Sequence, residues 1–147
     1  MATTHIRSMH NRDLPAVYRL EKACQPIAWP YWYFRRALAS SSCWIVEKNS
    51  EIIGFGILRM EKSHAHIMNI CVAPEHQHQG LGKRIMLHLL SVAKKMHARD
   101  SWLEVRSTNR IAIILYRKLG YRTISIRKNY YPMRRGRQNA IIMARKL

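Results

Sequence analysis

The run Val72-Ala-Pro-Glu-His-Gln-His-Gln-Gly-Leu-Gly-Lys-Arg84 is where residue types and spacing point most directly to chemistry. Two glycines spaced one apart, Gly80 and Gly82, separate an apolar strand pattern from a long helical one. Glycine lets the backbone approach a ligand closely, and a helix N-terminus offers free N–H groups at the positive end of its dipole. Those are the requirements of a pyrophosphate site. The Gly-Lys-Ser/Thr ending of a Walker loop is missing, as is the third glycine of the dinucleotide fingerprint. Alone, the two glycines fit a bare helix-start turn equally well. Further along, Glu104 is the last acid in the chain, and twelve Lys or Arg follow it. Asn109 suits a helix N-cap, and Tyr116 falls with Ile113 and Leu119 at the spacing of a helix core face. Cys24, Cys43 and Cys71 show no paired spacing, which argues against a disulfide scaffold or a structural zinc site. The eight histidines form no His-x-x-x-His or acid-flanked pair, so no metal is expected; His76 and His78 belong to the glycine-loop segment.

The elements that must position these residues alternate between strand and helix. Thr3 to Met9 reads as a strand. Asp13 is a good N-cap for a helix with Pro15 in its first turn and Val17, Leu20 and Cys24 at helical spacing, ended by Pro26. A second short helix, roughly Tyr31 to Ala39, carries Trp32, Tyr33 and Phe34 behind Trp29; these aromatics read as a buried face before an acceptor-site lining. Cys43 to Glu47 and Glu51 to Met60 flank the polar turn Lys48-Asn49-Ser50 as a hairpin, and Ala65 to Val72 is a third strand stopped by Ala73-Pro74. Leu81 to His97 is the longest helical pattern, with Ile85, Leu89, Val92 and Met96 on one stripe. A strand from Ser101 to Arg106 precedes a helix from Asn109 to Leu119, and Gly120 stands where a left-handed C-terminal residue belongs. Tyr121 to Arg127 and Ala140 to Ala144 are the last strands, separated by Tyr130-Tyr131-Pro132 and a basic loop.

The 147 residues make one mixed α/β domain, residues 1–147, with 48% apolar content, well above the disordered range. A net charge of +18 favours anionic partners such as nucleotides, phosphates, RNA or an anionic membrane surface. The acid-free C-terminal third is either solvated surface or a docking surface for something anionic, such as the RNA of a ribosome. The longest apolar runs, such as Ile111 to Tyr116, fall far short of the roughly 20 residues that cross a bilayer, so no membrane partner is expected. The start, Met-Ala-Thr-Thr-His-Ile-Arg, has no apolar signal core, and the expected location is the cytoplasm.

Six runs together carry a family resemblance. Gln77-x-x-Gly80-x-Gly82, after the strand Asn69-Ile-Cys-Val72, resembles the acetyl-CoA motif of the GNAT N-acetyltransferases. Trp102-Leu-Glu-Val-Arg106 and Asn109-x-x-Ala112-x-x-x-Tyr116-x-x-x-Gly120-Tyr121 resemble the second half of that family's site. Arg127-Lys-Asn-Tyr-Tyr-Pro132, Gly136-Arg137 and Ala140-Ile-Ile-Met-Ala144 are similar to the branch that acetylates ribosomal proteins. The resemblance is close from about residue 65 to 147 and holds in outline from 5 to 60.

The resemblance implies a splayed mixed sheet with helices on both faces, opening near Val72 and Val105 to admit acetyl-CoA, with no metal. It implies that the backbone of Ile70, Cys71 and Val72 takes the pantetheine arm. The amides of Gln77, His78, Gln79, Gly80, Leu81 and Gly82 would cradle the pyrophosphate, and Asn109 would touch CoA. Glu104 would be the general base and Tyr116 the general acid, in direct transfer within a ternary complex, which leaves Cys71 no nucleophilic role. The implied acceptor is the N-terminal alanine of a small-subunit ribosomal protein. Its alternatives are a small amine, a protein lysine, or a non-catalytic RNA-binding role. Tyr130 and Tyr131 stand as either a peptide-gripping loop or a hairpin clamp. Two departures matter. Ala73 replaces a common Asp, and Gln138-Asn139 replaces an acidic pair, so an arginine after the alanine gains little attraction unless Glu21 or Glu47 serves the pocket.

Overall fold

The computed structural model describes residues 3–132 and 136–147; the first two residues of the chain and the centre of the basic loop lie outside the described part. Seven strands form one sheet in the order β1-β2-β3-β4-β5-β7-β6. Strands β1 (Thr4–Ser8), β2 (Ser42–Lys48), β3 (Glu51–Glu61) and β4 (His64–Val72) form an antiparallel meander. Helices α1 (Leu14–Cys24) and α2 (Tyr31–Ser40) lie between β1 and β2 in sequence. Helix α3 (Leu81–Lys95) carries the chain from β4 to β5 (Asp100–Arg106), the parallel pair of the sheet. Helix α4 (Arg110–Lys118) leads to β6 (Arg122–Pro132), and β7 (Arg137–Lys146) returns between β5 and β6.

Strand alternation divides the core between the two faces of the sheet. Along β2, Cys43 and Ile45 pack with Val17 of α1, Phe34 of α2 and Phe55 of β3. Trp44 and Val46 join the opposite cluster, where Ile85, Met86 and Leu89 bring in α3. Local signals act as their chemistry requires. Asn49 (φ 51°) and Ser50 (φ 63°) are both left-handed in the tight β2–β3 turn, and Gly120 (φ 91°) ends α4.

Three expectations change. Asp13 precedes α1 but makes no side-chain cap there. A 3-10 turn, Asn11–Asp13, intervenes, and the carboxylate instead accepts the His10 N–H at 2.8 Å and both Arg7 guanidinium nitrogens at 2.9 Å. Tyr130, Tyr131 and Pro132 belong to β6 and not to a loop, since Tyr131 pairs with Gln138 and Pro132 with Arg137. Asn129 (φ 54°) lies where the register breaks, which lets the strand resume after a bulge. Finally, Cys24 and Cys71 form a disulfide across 47 residues of sequence, correcting the expectation from cysteine spacing. Packing of α1 on β4 brings their Cα atoms to 6.2 Å, a proximity that spacing along the chain does not encode.

Candidate active site

The β4–β5 ladder runs from His64 opposite Asp100 to Ile67 opposite Leu103. Beyond that point β4 follows β3 as far as Val72, while β5 follows β7 as far as Arg106. The divergence begins at a bulge. Ile57 pairs with Asn69 and Leu58 with Ile67, which makes Met68 the extra residue on β4. Between the parted strands lies a cavity of about 310 Å³. Ile67 to Ile70 form one wall and Leu103 to Arg106 the other. Asn109 and Tyr116 of α4, Tyr131 and Pro132 of β6, and the connector from Gln25 to Pro30 complete the lining.

Glu104 sits at the fork. Along β5, Ser101, Leu103 and Val105 are buried on one face, so Trp102, Glu104 and Arg106 share the other. The Glu104 side chain is only 13% exposed. Its Oε1 lies 3.5 Å from His66 Nε2, and its Oε2 lies 3.7 Å from Arg127 Nη1. Contact with His66, helped by Tyr130 and Arg127, holds the carboxyl below the usual carboxylate range against the opposing effect of burial. Glu104 is therefore ionised at neutral pH and faces the cavity as a carboxylate.

Tyr116, half-buried on α4, stands on the same cavity wall system. Burial pushes its phenol up to about 12, so at neutral pH it holds a proton that it can donate. Asn109 caps α4, its Oδ1 accepting the Ala112 N–H at 3.3 Å, while lining the cavity. Tyr131 lines the cavity beneath the Arg106 guanidinium, 4.3 Å from the ring centroid, and Tyr130 touches Glu104, so both β6 tyrosines stand beside the cavity. Among the α2-side aromatics, Trp29 lines the cavity, Phe34 is buried, and Trp32 is exposed.

The glycine loop lies beyond the cavity lining, at the N-terminus of α3. Gln77 Nε2 donates to the Val72 carbonyl at 3.1 Å, tying the loop to the end of β4. His78 (φ 63°) and Gly80 (φ 81°) both adopt left-handed backbone, turning the chain into the helix. His78, Gln79 and Gly80 are exposed, whereas Leu81 is buried and anchors the helix start. A Cβ on Gly82 would meet Leu115 of α4 at 3.5 Å, so the N-terminus of α3 and the face of α4 converge here. Of the proposed pantetheine-binding residues, Ile70 lines the cavity; Cys71 turns its side chain away into the α1 disulfide, and Val72 continues the strand. The structure thus gathers Ile70, Glu104, Asn109 and Tyr116 in one cavity and sets Gln77 to Gly82 past its edge. The diverging strand and the left-handed helix opening are a cradle that fits an extended thioester ending in phosphates.

Residues 8–121 match the acetyltransferase (GNAT) family. The chain belongs to the GNAT acetyltransferases. It is 36% identical over 140 residues to the [ribosomal protein bS18]-alanine N-acetyltransferase of Escherichia coli strain K12, covering 95% of each chain. A putative enzyme of the same name from Bacillus subtilis is 31% identical over 129 residues, covering 86% of this chain and 85% of its own. The crystal structure of the Escherichia coli ribosomal-protein-S18-alanine N-acetyltransferase superimposes with a TM-score of 0.92 at 35% identity, over 98% of this chain and 94% of that one. As a GNAT enzyme the protein is an acyltransferase, and acetyl-CoA is the acyl donor of this family.

Sequence reasoning left the parts played by three pieces of this GNAT site unassigned or, for Glu21, offered only as that of a pocket acid. Glu21, 1% exposed on α1, accepts the Trp29 N–H at 3.0 Å and the Asn69 Nδ2 at 3.0 Å. Burial drives its carboxyl upward, opposed by those two hydrogen bonds. Each oxygen accepts one hydrogen bond, so Glu21 fastens the α1–α2 connector to β4 while lining the cavity. Glu47, the other candidate acid, is held by Arg7 at 3.1 Å. The connector from Gln25 to Pro30 is the second omission; the Pro26 and Trp29-Pro30 punctuation marks it as a fixed turn but not as a wall. His66 is the third, since a lone strand histidine has no spacing signature.

Proposed function

We propose that this protein transfers an acetyl group from acetyl-CoA to the N-terminal alanine amine of a ribosomal protein equivalent to bS18. The observation that carries this reading is similarity to the Escherichia coli bS18-alanine N-acetyltransferase across 95% of both chains. The cavity supports it chemically, with a carboxylate and a protonated phenol sharing one opening.

Acetyl-CoA, when bound, supplies a thioester carbonyl and a thiolate leaving group. The backbone of Ile70, Cys71 and Val72 holds its extended arm, the amides from Gln77 to Gly82 receive the phosphates, and Asn109 touches it beside the α4 N-terminus. Glu104 draws the acceptor ammonium into the cavity and takes its proton. Tyr116 releases its phenolic proton toward the departing sulfur. An α-amine, with a pKa near 7.7–8.0, is about 10% neutral at pH 7, against about 0.04% for lysine near 10.4. That difference, about 3.4 kcal/mol, favours an N-terminal acceptor at a site with a single carboxylate at its fork. Residues 1–147 act as one domain, working in the cytoplasm where the acceptor is made. The basic C-terminal third provides contact with ribosomal RNA when the acceptor is presented there.

The experiment is a rate series with peptides beginning Ala-Arg, Ala-Glu and Ala-Ala, with an N-blocked lysine peptide as control. All three alanine peptides are acetylated at rates within about tenfold of each other, because Gln138-Asn139 replaces the acidic pair and Arg7 holds Glu47; a clear Ala-Arg preference would show that another acid, such as the cavity-lining Glu21, serves the pocket. The blocked lysine peptide is slower by about 10² or more, the factor its pKa sets. A faster rate on the lysine peptide overturns the N-terminal assignment.

A further inference from the structure

Cys24 is the last residue of α1, and Cys71 lies between Ile70 and Val72 in the stretch of β4 proposed to hold the pantetheine arm. Their disulfide joins two parts of the site covalently. On the α1 side the next residue, Gln25, begins the connector that walls the cavity. On the β4 side the strand has already lost β5 as a neighbour, since the β4–β5 ladder ends at Ile67. Two further contacts cross at the bond. Cys24 Sγ lies 3.4 Å from the carbonyl oxygen of Val72, and Cys71 Sγ lies 3.4 Å from that of Leu20. Each sulfur, once reduced to a thiol, has a backbone acceptor on the opposite element, so the pair can open without α1 leaving β4. The Val72 carbonyl also accepts Gln77 Nε2, the contact that ties the glycine loop to the strand. Cys24 therefore touches the carbonyl at which the proposed pantetheine strand and phosphate loop are joined.

We infer that the Cys24–Cys71 pair is an exchange site for small thiols, and that its redox state sets how firmly acetyl-CoA is held. The inference rests on β4 and the glycine loop being the donor site. In the cytoplasm, the proposed setting of the enzyme, disulfides are usually transient and redox-sensing. Cys24 is half-buried and Cys71 is only 3% exposed, so an incoming thiolate attacks Cys24 Sγ. The S–S bond breaks, its electron pair leaves on Cys71 Sγ, and that thiolate takes a proton from water. A second small thiolate attacks the small molecule's sulfur in the mixed disulfide. Cys24 leaves as a thiolate and is protonated in turn. Two small thiols become one small disulfide, and the protein gains two electrons and two protons; a small disulfide drives the same steps in reverse. Cys43 is a bystander, buried in the core, where burial pushes its thiol up to about 12. With the bond closed, connector and donor strand are one covalent unit. With it open, they are held by apolar packing, by the two thiol contacts, and by the hydrogen bonds that Glu21 accepts from Trp29 and Asn69.

The test prepares the full chain oxidised with oxidised glutathione and reduced with dithiothreitol, removes the reagent, and counts thiols by alkylation after denaturation. The oxidised protein alkylates at Cys43 alone, the reduced protein at all three cysteines. Calorimetric titration then gives the acetyl-CoA Kd of each form. Reduction raises Kd about threefold to tenfold, the effect of one misplaced backbone hydrogen-bonding group, leaves circular dichroism unchanged, and is reversed on reoxidation. Cys24→Ser binds as the reduced wild type does whatever the reagent, and Cys71→Ser takes up glutathione at Cys24. Equal Kd for oxidised and reduced wild type overturns the inference without relying on any variant to fold. Loss of circular dichroism on reduction also overturns it, because the bond is then a permanent staple. So does a Kd in Cys24→Ser that still depends on the reagent. Gly82→Asp separates the inference from the site beneath it. Wild-type affinity in that variant removes the glycine loop as the phosphate site, whereas lost affinity there beside a redox-independent wild type sinks the switch alone.

Discussion

Gly54 and Gly56 lie on β3 beneath α3, and alanine at each should act differently although both are overpacked. A Cβ on Gly56 would fall 2.6 Å from Ile85 Cγ2 and 3.0 Å from Leu89 Cδ1. Both are side-chain atoms of α3; Leu89 Cδ1 can turn aside, whereas Ile85 Cγ2 is fixed by its branched Cβ and is relieved by a small shift of the helix. A Cβ on Gly54 would fall 2.9 Å from the carbonyl oxygen of Cys71 and 3.3 Å from Ile85 Cδ1. The first of these obstacles is the backbone of β4 in the stretch proposed to hold the pantetheine arm. Relief there requires β4 itself to move. Overpacking costs about 1–3 kcal/mol in either case, or roughly 2–12 °C in Tm for a chain of this size. Only Gly54→Ala also misplaces a backbone hydrogen-bonding group, worth about 1–1.5 kcal/mol, so its acetyl-CoA Kd should rise about five- to tenfold. Thermal unfolding and calorimetric titration of both variants provide the check. Equal loss of affinity in the two variants, or unchanged affinity in Gly54→Ala, would refute the idea that β4 backbone position controls binding.

Three further outcomes follow from other parts of the molecule. Tyr116→Phe should lower kcat by about 10²–10³ and leave acetyl-CoA affinity near wild type, since the ring contact with Tyr121 persists; steady-state rates beside calorimetry test this. Cys24→Ser, or reduction of the wild type, should cost up to about 4 kcal/mol by urea denaturation, the loop-closure value for a 47-residue separation; identical curves with and without reductant would contradict it. Arg7 hydrogen bonding, the largest influence on Asp13, holds that carboxyl below the usual range. Its stabilisation is therefore full above the unfolded value of about 3.9 and fades as pH falls through the folded one. Arg7→Ala should cost about 1–3 kcal/mol at neutral pH and flatten the acid limb of a stability–pH curve.

Much of this architecture is legible in the chain because its signals are local. The stripe of Ile85, Leu89 and Val92 announces α3, Asn109 marks the start of α4, and Gly120 marks its end. The paired left-handed residues at Asn49 and Ser50 are foreshadowed by a short polar turn between two apolar runs. What the sequence conceals depends on neighbours distant along the chain. The last two strands are longer than their apolar centres because the Tyr131–Gln138 and Pro132–Arg137 pairs extend a ladder through polar residues. The Cys24–Cys71 bond depends on where α1 lands on β4. Among the site residues, Glu104 and Tyr116 are visible through motif context, but Glu21, offered only as a candidate pocket acid, shows its part as a clamp between connector and β4 once its two hydrogen-bond donors are seen. His66 is invisible for a similar reason, since its meaning comes from Trp102 and Glu104 on another strand.

On the proposed binding mode, the parting of β4 from β5 would tie the stability of the sheet to its substrate supply. From Met68 onward β4 keeps one neighbouring strand, and the proposed pantetheine arm takes the position of the other. A ligand that binds the native chain alone adds RT ln(1 + [L]/Kd) to stability, about 2.7 kcal/mol at a hundred times Kd. Acetyl-CoA concentration would then set how long the two halves of the sheet stay closed against proteases, as well as how fast the enzyme turns over. A metabolic shortage would slow acetylation and shorten the lifetime of the enzyme together, coupling activity to abundance through a single fork in the backbone.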